Sequence, residues 1–227
     1  DIGRARFGVR ASGVRVGMMG PMTRYFDINP VNPQARLVSQ VIDVLRAGGL
    51  IAYPTDSGYA LGCTLDNKDA LDRIRAIRNL GERHHFTLVC RDFAQLGQMV
   101  VLDNKDFRLV KRLTPGPWTF ILTGTREVPR RMLHTKKQTV GARIPDHALA
   151  LALVEELGEP LVTSTLLLPD GTGFEHGWEI RDEIGHLLDA VVEGEVGAAE
   201  PTTVVDLTAG EPEVLRAGAG DVALLGL

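Results

Sequence analysis

Short apolar runs alternate with amphipathic helical patterns along almost the whole chain, from residue 29 onward. The first helical pattern begins at Asn32-Pro33, where a proline fits the first turn of a helix, and ends at Gly48-Gly49. The apolar run Leu50–Tyr53 follows at once and predicts a buried strand. Several later connections are too short for a helical crossover, so the strands cannot all be parallel. The pattern therefore predicts an α/β fold of the α+β type, a twisted mixed sheet with flanking helices.

The same patterns predict the remaining elements. Further strands are expected at residues 86–90, 118–122, 139–144, 160–168, 190–192, 202–207 and 214–216. Further helices are expected at residues 67–80, after Asp92, from Asp103, at 129–133, at 147–157 and at 179–188. In the helix that begins at Asp103, the apolar stripe contains Phe107, Val110 and Leu113, which we expect to be buried.

Length and composition predict one domain. The chain has 227 residues, of which 44% are hydrophobic, and no repeat or linker divides it. Residues 1–24 show neither the helical nor the strand period of apolar residues. We expect them to be a poorly structured extension, or an expression remnant ahead of a start at Met22. Residues 25–227 are expected to form the domain. No apolar run is long enough to span a bilayer, and Cys63 and Cys90 lack metal-ligand spacing. We therefore expect a cytoplasmic protein with two free thiols and no membrane partner.

The most unusual local sequence is Tyr53-Pro54-Thr55-Asp56-Ser57-Gly58-Tyr59-Ala60-Leu61-Gly62-Cys63. It places a proline, two hydroxyls, a carboxylate and two glycines directly after a predicted buried strand. Polar side chains on a shaped loop at a strand end commonly form small-molecule sites in α/β proteins. A plain tight turn is the alternative.

Other predicted strand ends carry polar groups in the same way. Arg78 closes a helix just before a strand, Thr163-Ser164-Thr165 interrupts an apolar strand, and Arg143 ends another. A buried arginine costs free energy unless it meets an anion or a carboxylate. Two interpretations of Arg143 therefore remain: it contacts a bound ligand, or it forms a structural ion pair with a carboxylate of the chain.

Charge is unevenly distributed on a chain whose net charge is only −4. Residues 126–143 contain a basic cluster with Glu127 as their single acidic residue, whereas residues 170–213 carry twelve acidic residues against Arg181 alone. Such a local basic cluster suits a phosphate-bearing ligand better than general coating of nucleic acid, and a solvated surface is the alternative. The candidates for RNA contact in this cluster are Arg130, Arg131, Lys136 and Lys137.

Several catalytic signatures are absent from the sequence. It has no phosphate-binding loop, dinucleotide fingerprint, nucleophile elbow or zinc-spaced histidine pair. His84-His85 lies in a polar stretch and is expected at the surface. The absence of these motifs favours chemistry by positioning of substrates and stabilisation of charge. We therefore assign no nucleophile and no metal ligand.

Five motifs occur in the order found in the YrdC-like family, which the chain resembles over about residues 35–220. They are Tyr53–Gly62, Pro115-Gly116-Pro117-Trp118-Thr119, Ala142-Arg143-Ile144-Pro145, Pro201-Thr202-Thr203-Val204-Val205-Asp206 and Leu215-Arg216-Ala217-Gly218. Details at Phe86–Asp92 and Phe120–Leu122 are most similar to the YciO branch. That family includes the threonylcarbamoyl-AMP synthases of tRNA modification, and the resemblance implies a concave, positively charged groove.

The resemblance implies a site for ATP, L-threonine and bicarbonate, with Mg²⁺ accompanying the ATP. The product, threonylcarbamoyl-AMP, would pass to tRNA-modification partner proteins that act on adenosine 37. Carried over to the matching positions, Thr55 and Tyr59 would line the threonine pocket. The residues implied to contact or neighbour the nucleotide and its phosphates are Arg78, Arg143, Ser164, Thr203 and Arg216.

Two motifs of the family's synthases are altered in this chain. A Lys-x-Arg pair is replaced by Arg78-Asn79-Leu80, and a Ser-x-Asn motif by Ser164-Thr165-Leu166. Because the absence of one charge-assisted hydrogen bond can remove about 3 kcal/mol of transition-state stabilisation, we expect weak or altered synthase activity. The alternatives are a non-catalytic module that binds a nucleotide, tRNA or double-stranded RNA, and a different reaction on a phosphorylated small molecule.

Overall fold

The computed structural model describes residues 22–81, 86–197 and 200–226. Its strands are β1 (Arg24–Asp27), β2 (Ile51–Thr55), β3 (Gly58–Cys63), β4 (Thr87–Val89), β5 (Trp118–Thr123), β6 (Thr139–Arg143), β7 (Leu161–Thr165), β8 (Ala190–Glu193), β9 (Thr203–Asp206) and β10 (Glu213–Arg216). Its helices are α1 (Ala35–Arg46), α2 (Lys68–Arg78), α3 (Phe93–Met99), α4 (Asn104–Leu113), α5 (Ala148–Leu157) and α6 (Gly177–Ile184). Short 3₁₀ turns lie at Arg130–Met132, Gly185–Leu187 and Val222–Leu225.

The strands form one sheet in the order β1-β8-β2-β3-β7-β4-β6-β5-β9-β10. Pairing is parallel between β1 and β8, β8 and β2, β4 and β6, and β5 and β9. Pairing is antiparallel between β2 and β3, β3 and β7, β7 and β4, β6 and β5, and β9 and β10. The predicted single α/β domain with a mixed sheet is confirmed.

Helices pack on both faces of the sheet, because successive strand side chains point to opposite faces. One face packs against α1 and α5, through side chains such as Ile42 and Leu153. The other face packs against α2, α3, α4 and α6, through side chains such as Ile74 and Val110. Within the described residues, β5, β6 and β9 contribute nothing to the α1 and α5 core. That half of the face is therefore available for polar side chains.

Most predicted elements are present, and several helices begin where the sequence places a capping residue. Asn67, Asp92 and Asp103 accept backbone N–H bonds at the starts of α2, α3 and α4. The predicted start of α1 at Asn32-Pro33 is wrong, because the Asn29 side chain accepts bonds from the N–H groups of Val31 and Asn32 and holds that segment as a turn. The helix begins only at Ala35.

Three further predictions differ from the structure. Phe107 is 41% exposed and packs edge-on against Phe93, so α4 does not bury it. Residues 54–62 are not a loop, because they complete the hairpin of β2 and β3. Arg24 lies in β1 and not in an extension, since β1 pairs with the distant strand β8, a partner that no local pattern reveals.

Within the described residues, no helix is both long and apolar enough to cross a membrane. The predicted extension at residues 1–21 and the pair His84-His85 lie outside the described residues.

Candidate functional site

The tight hairpin between β2 and β3 holds the first polar groups of the site. Only Asp56 and Ser57 separate the two strands, and Gly58 has a φ of +96°, a conformation that favours glycine. The Thr55 hydroxyl donates to the Gly58 carbonyl at 2.7 Å and accepts from the Ser57 N–H at 3.1 Å. These bonds fix the buried side chains of Thr55 and Ser57 at the end of the hairpin.

Neighbouring strands add hydroxyl groups from the half of the sheet that α1 and α5 leave uncovered. The register pairs Thr163 of β7 with Thr87 of β4, and Thr87 with Gly141 of β6. A Cβ added at Gly141 would lie 2.7 Å from Thr87 Oγ1 and 3.3 Å from Thr119 Cγ2. Glycine at this position therefore makes room for two threonine side chains.

These groups line a small cavity of about 90 Å³. Its described lining residues are Thr55, Ser57, Tyr59, Ala60, Arg78, Thr87, Thr119, Ile121, Arg143, Thr163, Ser164, Thr165, Thr202, Val204 and Arg216. This lining contains three arginines and many hydroxyls but no carboxylate. Since ligand pockets usually measure about 300–1,000 Å³, a nucleotide could place only one of its groups inside this cavity.

Arg143 ends β6 and is held by the hairpin. Its Nη2 donates to Oδ1 of Asp56, and its Nη1 donates to Ser57 Oγ at 3.0 Å. The other Asp56 oxygen accepts from the Asp146 N–H at 2.9 Å. Arg143 Nε is buried and has no partner among the described residues. The structural ion pair is thus present, and the guanidinium keeps one N–H group without a hydrogen-bond partner among the described residues.

Arg78 and Arg216 bring two further charges that no carboxylate of the described residues neutralises. Arg78 donates to Ser164 Oγ at 2.8 Å and to the Leu167 carbonyl at 3.3 Å. Arg216 donates to the Thr202 carbonyl at 2.9 and 3.1 Å. Burial lowers the pKa of both guanidinium groups, and the charge of Arg216 lowers the pKa of Arg78 further. Two neighbouring cations of this kind favour binding of an anion.

A hydrogen bond of Tyr59 connects the lining of this cavity with that of a larger one. Tyr59 is one of the residues that line the small cavity, and its hydroxyl donates to the Gly194 carbonyl at 3.0 Å. Gly194 also lines a second cavity of about 700 Å³, whose acidic lining residues are Asp27, Glu175, Glu193 and Glu195. Burial, together with the charge of Glu193, raises the pKa of Tyr59, so its phenol stays protonated.

The structure brings six of the seven predicted pocket residues to the small cavity, namely Thr55, Tyr59, Arg78, Arg143, Ser164 and Arg216. Thr203 lies elsewhere: its buried hydroxyl donates to the Gly220 carbonyl at 2.7 Å and accepts from the Gly218 N–H at 2.9 Å. Because side chains alternate along β9, Val204 faces the cavity and Thr203 faces away from it. Thr203 therefore lies next to two lining residues, Thr202 and Val204, without lining the cavity itself.

Sequence reasoning missed several hydroxyl residues of the cavity. Thr119 and Thr202, whose hydroxyls lie 2.9 Å apart, stand inside the motifs shared with the YrdC-like family, so strand alternation was the signal that could have found them. Thr87 gave no local signal, because only the pairing of β4 with β6 and β7 brings it to the site.

The four basic residues considered for RNA contact are exposed and lie outside the lining of this cavity, namely Arg130, Arg131, Lys136 and Lys137. Arg131 donates to the Asp66 carboxylate at 2.8 Å, and Lys137 Nζ lies 3.9 Å from Asp206 Oδ2. The structure therefore does not bring this cluster together with the cavity arginines, and two of its charges have acidic neighbours.

Across the described parts of the chain, no group of three or more His, Cys, Asp or Glu side chains could hold a metal ion. Asp56 of the hairpin is already paired with Arg143. The described residues therefore do not fit a metal held by the protein alone.

Comparison with known sequences identifies relatives of the whole domain. The Sua5, YciO and YrdC family model, described as telomere recombination, matches residues 43–218. The uncharacterized protein YciO of Escherichia coli K12 is 48% identical over 203 residues, which is 88% of this chain and 98% of that protein. The threonylcarbamoyl-AMP synthase of Vibrio vulnificus YJ016 is 28% identical over 185 residues, which is 80% of this chain and 98% of that protein.

Solved structures share the fold. The crystal structure of E. coli YciO has a TM-score of 0.86 at 47% identity and covers 90% of this chain and 100% of that one. P. abyssi Sua5 complexed with L-threonine has a TM-score of 0.79 at 24% identity and covers 86% of this chain and 58% of that one. The likeness to Sua5 extends to the fold alone.

Proposed function

We propose, since this chain belongs to the Sua5, YciO and YrdC family, that its small cavity binds one phosphate group of ATP and that L-threonine and bicarbonate bind beside it at the edge of the cavity. The proposed reaction forms threonylcarbamoyl-AMP and diphosphate. The observation that carries the proposal is the convergence of Arg78, Arg143 and Arg216 on one hydroxyl-lined cavity without a carboxylate in its described lining. Charged N–H donors and hydroxyls are well suited to phosphoryl and carboxylate oxygens.

The proposed chemistry has two steps. The amine nitrogen of threonine attacks the carbon of bicarbonate, and loss of water gives N-carboxythreonine. A carboxylate oxygen of this adduct then attacks the α-phosphorus of ATP, while the bond from that phosphorus to the diphosphate oxygen breaks. Negative charge develops on the phosphoryl oxygens, which Arg78 and Arg216 would stabilise by charge-assisted hydrogen bonds. Mg²⁺ enters only as the counter-ion that ATP carries.

Thr55 and Tyr59 are the proposed contacts of L-threonine. Thr55 and Tyr59 are both buried and line the same cavity as the arginines. Support also comes from the L-threonine complex of Sua5, which shares this fold. The V. vulnificus synthase, similar over most of this chain, supports the same reaction class.

The altered motifs predict slower turnover than that of the synthases. Position 80, where the second cation of Lys-x-Arg is expected, is leucine, and Asn79 ends α2 in a left-handed conformation with a φ of 50°. Leu166, at the asparagine position of Ser-x-Asn, is 1% exposed and offers no amide. Removal of one such donor commonly lowers kcat by about 10²–10³.

Diphosphate release with ATP, bicarbonate and L-threonine tests the proposal. We expect release that requires both threonine and bicarbonate, and a loss of about 10²-fold in Arg78→Gln or Arg216→Gln. Arg126→Gln is a matched control, because Arg126 is exposed and lies outside the cavity. If no threonine-dependent product forms at high enzyme concentration, the synthase proposal fails, and nucleotide binding measured on the same samples would favour the non-catalytic module.

Binding of tRNA or double-stranded RNA is the second candidate, favoured by the exposure of the four basic residues near the 3₁₀ turn Arg130–Met132. RNA affinity should fall steeply with salt. Arg130→Gln with Lys136→Gln should weaken binding and lower the salt slope by about 1 for each phosphate that the variant no longer neutralises. An affinity that these variants leave unchanged would contradict this role.

A further inference from the structure

We propose that Glu193, the last residue of β8, is a positioning residue that fixes Tyr59 in the wall of the small cavity. Tyr25 and the start of α6 would hold the Glu193 carboxylate in turn. The identity of the ligand, L-threonine, rests on the proposed function. The positioning of Tyr59 rests on contacts within the chain.

The segment Glu193-Gly194 contacts the Tyr59 hydroxyl on several sides. The Gly194 carbonyl accepts from this hydroxyl at 3.0 Å, and the Gly194 N–H donates to it at 3.3 Å. Glu193 Oε1 lies 3.4 Å from the same hydroxyl oxygen. A phenol bonded in this way has one preferred position, and this fixes Tyr59, which is one of the residues that line the small cavity.

The second carboxylate oxygen of Glu193 accepts hydrogen bonds from residues that do not line the small cavity. Oε2 accepts from the Trp178 N–H at 3.0 Å and from the Tyr25 hydroxyl. A Cβ added at Gly177 would lie 3.1 Å from this oxygen, so a glycine lets the start of α6 approach the carboxylate. Although burial opposes it, hydrogen bonding from Tyr25 and from the N–H groups of Gly177 and Trp178 keeps the pKa of Glu193 below its ordinary value.

Elements distant in sequence therefore meet at one carboxylate, which β8 supplies and β1, β3 and α6 contact. The other acidic residues of the larger cavity differ in this respect, since Glu175 and Glu195 are exposed. Glu193 faces the larger cavity and would not touch a ligand in the small one, so its effect on a ligand must pass through Tyr59. The expected consequence is a change in the affinity for the group that Tyr59 contacts, with the chemical step unaffected.

The chain contains three tyrosines, Tyr25, Tyr53 and Tyr59, so ¹⁹F NMR of the protein labelled with 3-fluorotyrosine observes the positioning directly. In Glu193→Gln the resonances of Tyr25 and Tyr59 should shift or broaden. The resonance of Tyr53, whose hydroxyl donates to Thr163 Oγ1 at 3.2 Å, should stay in place. Glu195→Gln, on the same cavity, is the matched control and should move none of the three.

Kinetics then connect the positioning to the ligand. In Glu193→Gln the KM for L-threonine should rise about tenfold while kcat and the KM for ATP stay unchanged, which separates positioning from general loss of structure. An unchanged Tyr59 resonance in folded Glu193→Gln overturns the inference, and so does an unchanged KM for threonine in an active protein. If the Tyr59 resonance moves but the wild type shows no threonine-dependent reaction, the positioning stands and the proposed function fails.

Tyr25→Phe keeps the measurement decisive if Glu193→Gln does not fold. This variant removes one donor to Glu193 while leaving the carboxylate and the cavity lining intact. A shift of the Tyr59 resonance in Tyr25→Phe supports the inference, and an unchanged Tyr59 resonance overturns it.

Discussion

Replacement of Asp56 by asparagine is expected to destabilise the fold by about 3–5 kcal/mol. The side chains of Arg143 and Asp56 are only 6% and 9% exposed. Asparagine keeps an oxygen that can accept from the Asp146 N–H, but it removes the negative charge opposite Arg143. The guanidinium would then be a buried charge without compensation, and that loss accounts for the magnitude.

The reverse change, Arg143→Met, leaves Asp56 as the uncompensated charge and should cost a similar amount. The double variant Asp56→Asn/Arg143→Met removes both charges. Its loss of unfolding free energy should therefore be smaller than the sum of the two single losses by about 2–3 kcal/mol.

Urea unfolding followed by tryptophan fluorescence measures all of these free energies. An unchanged m-value shows that the variants expose the same surface on unfolding as the wild type. The exposed pair of Arg75 and Asp72 is the matched control, because its side chains are 30% and 55% exposed and Asp72→Asn should cost no more than about 1 kcal/mol. If the single losses of Asp56→Asn and Arg143→Met add within about 0.5 kcal/mol, the two residues are not coupled and the reasoning from burial is refuted.

Three further predictions concern packing, thiol chemistry and pH. Gly141→Ala should lower the unfolding free energy by about 1–3 kcal/mol because of the contact with Thr87, whereas Gly97→Ala, whose Cβ meets nothing within 4 Å, should not; chemical denaturation of both variants checks this. Burial raises the pKa of each of the two cysteines to about 12, so neither should react with a thiol reagent near pH 8 until urea unfolds the protein. The pKa of Glu193 is lower in the fold than its ordinary value of 4.5, so its carboxylate stabilises the fold above that pH and this contribution is lost as the pH falls through the lower value. Unfolding free energies measured from about pH 6 to about pH 3 should therefore fall less steeply in Glu193→Gln than in the wild type, and equal slopes would contradict this.

Local sequence was sufficient for most elements, because helix caps and hydrophobic periods act over a few residues. Asn67, Asp92 and Asp103 illustrate this, since each accepts backbone N–H bonds from the turn that follows it. The hairpin of β2 and β3 was mistaken for a loop because its turn residues are also the polar residues of the site. The strand β1 was missed because its stability comes from pairing with β8.

For the site, the sequence by itself determined which polar and charged side chains stand at predicted strand and helix ends. These are a polar stretch after a buried strand and the arginines at positions 78, 143 and 216. Only the tertiary structure decided that these arginines meet at one cavity, that Thr87 joins them, and that Thr203 turns away. The physical reason is that sheet register and the coverage of each face by helices fix which side chains become neighbours. Both are set by contacts between distant segments, such as those that β8 makes with β1 and β2, and neither can be derived from a local period.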